Sequence, residues 1–150
     1  MKYTLEQKAQ LMALQNPNTY AFDFEDFVII SDGIIGYYVS KDKLLINHKK
    51  LRKPTQDPMF LKPENIIKAT VEAQKTRNII LMTSGKMAIK LKAEDGRKAW
   101  VNTEYLKQFG DIVKLRISSE YEVVYISDYK GNPLGIVMPV RICEDSEVEE

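Results

Sequence analysis

The sequence predicts an α+β fold built on antiparallel sheets with two or three short helices. Short runs rich in Val, Ile and Tyr recur along the chain, bounded by turn signals such as Ser31-Asp32-Gly33 and Asp95-Gly96. Only three stretches keep helical spacing. Helices and strands do not alternate as a doubly wound α/β sheet requires.

Thr4 to Gln15 reads as a helix: Thr4 and Gln7 suit a capping box, Leu5, Ala9, Met12 and Ala13 share one face, and Asn16-Pro17 ends it. Phe22 to Ile30 reads as one strand. Ile34 to Val39 reads as a second, forming a hairpin across Ser31-Asp32-Gly33. Leu44 to Asn47 is expected to be a short third strand. Residues 48–63, basic at first and then carrying Pro54, Pro58 and Pro63, form a surface loop. Pro63 introduces a helix over Glu64 to Lys75, with Ile66, Ile67, Thr70, Val71 and Gln74 in one stripe.

Strands follow at Asn78 to Met82 and Lys86 to Lys92, around Ser84-Gly85. Met87, Ile89 and Leu91 alternate with Lys86, Lys90 and Lys92, which predicts a wet, basic face. Ala99 to Asn102 is extended. Thr103 to Phe109 is a short helix capped at Asn102 or Thr103 and stopped by Gly110. Val113 to Ser118, Tyr121 to Ser127 and Leu134 to Ile142 complete the strands. Ile46-Asn47-His48-Lys49-Lys50-Leu51 faintly echoes Val101-Asn102-Thr103-Glu104-Tyr105-Leu106.

The chain's 150 residues suit one domain, assigned to 1–143, with an acidic disordered tail at 144–150. The last seven residues hold five acids and no base; the net charge is +1, so the body carries +6. The densest basic run is His48-Lys49-Lys50-Leu51-Arg52-Lys53, with Lys41 and Lys43 upstream; Lys62, Lys68, Lys75 and Arg77 form a looser set. Phosphate contact needs such clusters, and no interleaved aromatics accompany them as base stacking would need. No apolar run approaches a membrane span and no leader is visible, so a cytoplasmic protein without membrane partners is expected.

Catalytic chemistry is poorly supplied. One His and one Cys rule out a His/Cys zinc site within one chain, and the single Cys143 rules out an internal disulfide. His48 sits among lysines in a loop. Asp23, Glu25, Asp26 and Asp32 are the only acidic cluster of the body and could serve a metal-dependent hydrolase only by converging. Thr83-Ser84-Gly85-Lys86 lacks the earlier glycine, the following Ser or Thr, and the following helix of a phosphate loop. No catalytic residue, metal or cofactor is assigned, and a non-enzyme is expected.

From Trp100 to Ile142 the chain resembles the end of a bacterial DNA sliding clamp domain. Asn102, Tyr105 and Leu106 match that family's apolar-Asn-x-x-Tyr-Leu helix start. Met138, Pro139 and Arg141 match its closing Met-Pro-Met-Arg-Leu strand, with Val140 and Ile142 as apolar replacements. Val28 to Gly33 is similar to its strand followed by Thr-Asp-Gly, with Ser31 for Thr. The resemblance implies a clamp-like processivity or scaffold protein of DNA replication or repair, phage-encoded in one version. It would touch double-stranded DNA backbone without reading sequence and dock a polymerase or other replication protein. Lys49, Lys50, Arg52, Lys53, Lys68, Lys75, Arg77 and Lys107 are the DNA-contact candidates. Tyr105, Met138, Pro139, Val140, Arg141 and Ile142 are the partner-groove candidates. One clamp-sized domain would close a ring only as a homo-oligomer. The alternative is a protein–protein interaction module of the same fold that binds no DNA.

Overall fold

The computed structural model describes residues 3–55 and 58–142. Cys143 and the expected acidic tail lie outside them. The chain runs α1 (Leu5–Gln15), β1 (Tyr20–Asp23), β2 (Phe27–Ser31), β3 (Ile35–Ser40), α2 (Pro63–Ala69), β4 (Val71–Leu81), β5 (Met87–Ala93), β6 (Lys98–Asn102), α3 (Thr103–Lys107), β7 (Lys114–Ile117), β8 (Val124–Ser127) and β9 (Pro133–Val137). Single 3-10 turns occupy Lys41–Lys43, His48–Lys50 and Pro58–Leu61. The α+β fold class holds. No described helix is long and apolar enough to cross a membrane.

All nine strands join one antiparallel sheet in the order β1-β2-β3-β9-β8-β7-β4-β5-β6. The sheet curls until its far edge meets the chain leaving β9: Val140 pairs with Trp100 of β6, its N–H 2.8 Å from the Trp100 carbonyl. The β1 edge is also covered, because Ala21 donates to the Arg52 carbonyl at 2.9 Å and Arg52 to Thr19 at 3.3 Å. Covered edges deny neighbouring chains a pairing template.

Curling gives two apolar clusters. Inside lie Val28, Ile30, Tyr37 and Val39 of the first strands, Leu91, Ala99 and Val101 of β5 and β6, and Leu115, Val124, Ile126 and Val137. Helix α1 presses Leu5, Ala9, Met12 and Ala13 onto this cluster, and Leu106 and Phe109 join it from α3 and the residues after it. On the outer face Ile29, Tyr38, Tyr125 and Ile136 form a second layer, covered by Phe24, Leu61 and Ile66.

Close approach at β9 depends on glycine. A Cβ on Gly135 would overlap the Phe109 ring and the Gly36 carbonyl. Gly135 pairs with Tyr37 on one side and Ile126 on the other, so the Phe109 ring reaches the sheet at the centre of the fold.

Several sequence readings need correction. Phe22 to Ile30 is two strands, broken at Phe24-Glu25-Asp26, where the Phe24 N–H closes onto the Phe27 carbonyl at 3.0 Å. Residues 44–47 form no strand; a 3-10 turn precedes them and the Leu45 N–H bonds the Gln10 side chain. The helix expected over Glu64 to Lys75 stops at Ala69, and Val71 begins the longest strand. Lys90, expected on a wet face, is 6% exposed, with its ammonium 5.9 Å from the centre of the Trp100 ring opposite it on β6. The faint repeat has a local cause: Asn47 and Asn102 each accept the N–H two residues on and cap one helical turn.

Candidate docking groove

The Pro-rich excursion returns to the sheet as a rigid arm. Pro63 opens α2 with the fixed φ that a first helical position favours. Ahead of it, Leu61 is buried and its carbonyl accepts the Tyr38 hydroxyl at 2.6 Å, which pins the Pro58–Leu61 turn to β3. The Asn65 amide reaches back to the Met59 carbonyl at 2.7 Å. At the other end of α2, Arg116 of β7 bonds the Thr70 hydroxyl at 3.0 Å and the Ile67 and Thr70 carbonyls at 3.2 and 2.7 Å. A guanidinium on the last carbonyls of a helix completes their hydrogen bonding and opposes the helix dipole.

Between this arm and the chain entering β8 lies a cavity of about 310 Å³. Its lining is largely apolar, with Phe60, Ile66, Ala69, Tyr121, Val123 and Met138, and Thr70, Ser118 and Glu122 add the polar groups. Phe60 is 51% exposed, Tyr121 58% and Met138 37%. Ile67 and Met59 extend the apolar surface along the arm. Met138 is held by its N–H on the Ile34 carbonyl at 2.7 Å. The Arg141 guanidinium lies 5.0 Å from the centre of the Tyr121 ring and steadies that wall.

The expected partner-groove residues are therefore divided. Met138 lines the groove and Arg141 acts on its wall. Val140 is spent on β6, with Pro139 and Ile142 half-buried on either side of it. Tyr105 packs against the inner cluster. Sequence reasoning missed Phe60, Ile66 and Val123 and held Tyr121 only among aromatics suited equally to core or groove; the signal was Met59-Phe60-Leu61, an apolar triplet between prolines.

The DNA-contact candidates are also divided. Lys49, Lys50, Arg52 and Lys53 stand exposed together along the β1 edge. Lys68 is on α2, Lys75 and Arg77 on β4, and Lys107 on α3. Helices α2 and α3 bury Ile66 and Leu106 in different clusters on opposite faces of the sheet, so Lys68 and Lys107 share no surface.

The acids of the first strands do not converge. Lys41 hydrogen-bonds Asp23 at 2.7 Å and holds its carboxyl below the usual carboxylate range. His48 lies 3.4 Å from the same oxygen with a side chain only 14% exposed, so the histidine expected in an open loop is tucked against β1. Asp32 accepts the Ile34 and Ile35 N–H groups in its turn, each at 2.9 Å. Among the described residues no group of three His, Cys, Asp or Glu could hold a metal. Burial pushes the Tyr37 and Tyr125 phenols up to about 12 and raises Tyr38 as well. These phenols are parts of the core, and Tyr38 ties the arm down. Compared with known proteins, the chain matches no family model, no curated protein and no solved structure, and nothing in those comparisons identifies a clamp family.

Proposed function

We propose that this chain is a non-enzymatic docking domain. Its groove takes an apolar anchor from a partner protein, a Leu- or Phe-sized side chain on an extended peptide, with a basic neighbour facing Glu122. One observation carries the reading: an exposed apolar cavity, walled by a pinned arm and closed by Met138. Pockets of this size, mostly apolar with a few polar groups at the margin, are where side-chain anchors bind. The clamp resemblance supports the same place, since the matching Met-Pro strand borders the partner groove in that family. On this reading the partner is a polymerase or another replication protein.

A random-peptide display selection against the protein, counter-selected on Met138→Glu, tests it. Enriched peptides should share an apolar anchor and bind Met138→Glu at least about tenfold more weakly, the cost of a charge in a desolvated pocket. Peptides that bind both forms equally would refute it.

The clustered cations Lys49, Lys50, Arg52 and Lys53 favour a second activity, contact with DNA backbone. It predicts sequence-independent binding whose affinity falls steeply with salt, in proportion to the phosphates neutralised. Anisotropy with duplex DNA across a salt series, on the parent and on Lys49→Glu/Arg52→Glu, reads this directly. Salt-independent or absent binding removes the DNA activity and leaves the docking domain.

A further inference from the structure

Strand β4 is 11 residues long, yet β7 pairs only with its start, from Val71 to Ala73. Along its other side β5 accompanies it to Leu81. Past Ala73 the β7 side of β4 therefore has no partner strand among the described residues. The end strands of the sheet differ, because the chain's own Arg52 and Val140 overlie β1 and β6.

The ladder with β5 decides which groups this free edge offers. The Met82 N–H donates to the Lys86 carbonyl at 2.8 Å, so residue 82 faces β5. Antiparallel pairs alternate, so Ile80 faces β5 as well, opposite Ala88, while Ile79 and Leu81 turn their N–H and C=O groups to the open side. Earlier in the strand the register shifts between Lys75 and Ile79, and the Asn78 N–H is taken by the Thr76 hydroxyl at 3.2 Å. The stretch ready for pairing is thus Ile79 to Leu81, centred on Ile80. Its side chains are apolar on both faces. Ile79 and Leu81 stand exposed beside Met87 on the face that carries Ile89, and Ile80 lies with Ala88 on the other.

This edge is complementary to itself. Two copies laid antiparallel about Ile80 put Ile79 of each opposite Leu81 of the other. These are the residues whose backbone faces outward, so every outward N–H in the stretch meets an outward C=O. Ile80 meets its own copy as the closer, non-hydrogen-bonded type of pair. Lys75 and Arg77 fall outside the paired stretch, at opposite ends in the two copies, so like charges do not face each other across it.

We propose that two copies of the chain join edge to edge along Ile79 to Leu81, forming a closed dimer with one sheet running through both. With β1 and β6 overlaid by the chain itself, a second copy finds this free edge only with its own copy of the same edge. Such an isologous contact stops at two. The groove lies on other elements, and the proposal stands whether or not the groove binds a peptide.

Sedimentation equilibrium of the full chain over a concentration series should show the mass rising from one chain toward two and levelling there. Ile79→Lys/Leu81→Lys sets lysines against each other across the axis and should weaken association at least about tenfold. Both side chains are exposed, and circular dichroism checks that the variant keeps the fold. Cross-linking in a Cys143→Ser background reads the register. Ile80→Cys should oxidise to a linked dimer, since paired Cα atoms of this type stand about 4.5 Å apart, within disulfide range. Asn78→Cys, opposite Met82 of the copy, should not. A monomer at every concentration, masses beyond two chains, or association unchanged in the double-lysine variant would overturn the proposal. So would cross-linking at Ile80→Cys no greater than at Asn78→Cys.

Discussion

Gly135 and Arg116 decide local questions out of proportion to their size. At Gly135 an added methyl has nowhere to go, since the Phe109 ring and the Gly36 backbone already occupy its place. Gly135→Ala should lower the unfolding free energy by about 1–3 kcal/mol, the usual cost of overpacking a tight interior, read from denaturant midpoints. Arg116 joins β7 to the end of α2 through three hydrogen bonds. Arg116→Met should lose about 1 kcal/mol, as the part-buried Thr70 carbonyl and hydroxyl at the helix end lose their donor, and should loosen the groove wall. The buried tyrosines set the alkaline limit. An unfolded phenol ionises near 10, whereas Tyr37 and Tyr125 hold their protons to about 12. Above pH 10 the unfolded chain therefore binds fewer protons than the folded one, and stability falls as pH rises. The slope is about 1.4 kcal/mol per pH unit for each such phenol, measurable as a shrinking urea midpoint with phenolate absorbance appearing only on unfolding.

At the scale of elements, the sequence was legible wherever a local signal was complete. Helix α1 has a full capping box, with Thr4 and Gln7 bonded reciprocally, and its boundaries follow. Asn102 and Gly110 likewise bracket α3 and the turn after it. It misled where partners far along the chain decide. Residues 70–75 fit a helical stripe by spacing, yet Val71, Glu72 and Ala73 pair with Ile117, Arg116 and Leu115, more than forty positions away. Lys90 read as wet because alternation does not reveal its cross-strand neighbour, the buried Trp100, whose ring lies 5.9 Å from its ammonium. The groove was half legible. Met138 stood in a recognisable motif, whereas Phe60 and Tyr121 lie in irregular segments brought together by the Tyr38 and Arg116 anchors. Removing one anchor tests this: Tyr38→Phe deletes only the hydroxyl bonded to Leu61, and should weaken groove binding while costing about 1 kcal/mol of stability.

Across the whole molecule, one curled sheet separates the apolar groove beside α2 from the cations along β1. The far end of the β4–β5 hairpin is apolar too, with Ile79, Leu81 and Met87 exposed on one side, so a docking reading has to say which surface is used. Methionines mark the alternatives. Met59 and Met138 flank the groove, Met82 and Met87 lie at the hairpin, and Met12 packs α1 on the inner cluster. The most direct measurement is the methionine methyl spectrum during titration with a selected peptide. The account predicts that Met138 shifts first and furthest, with Met59 beside it, while Met82, Met87 and Met12 stay in place. Saturable shifts centred on Met82 and Met87, with Met138 unmoved, would contradict it.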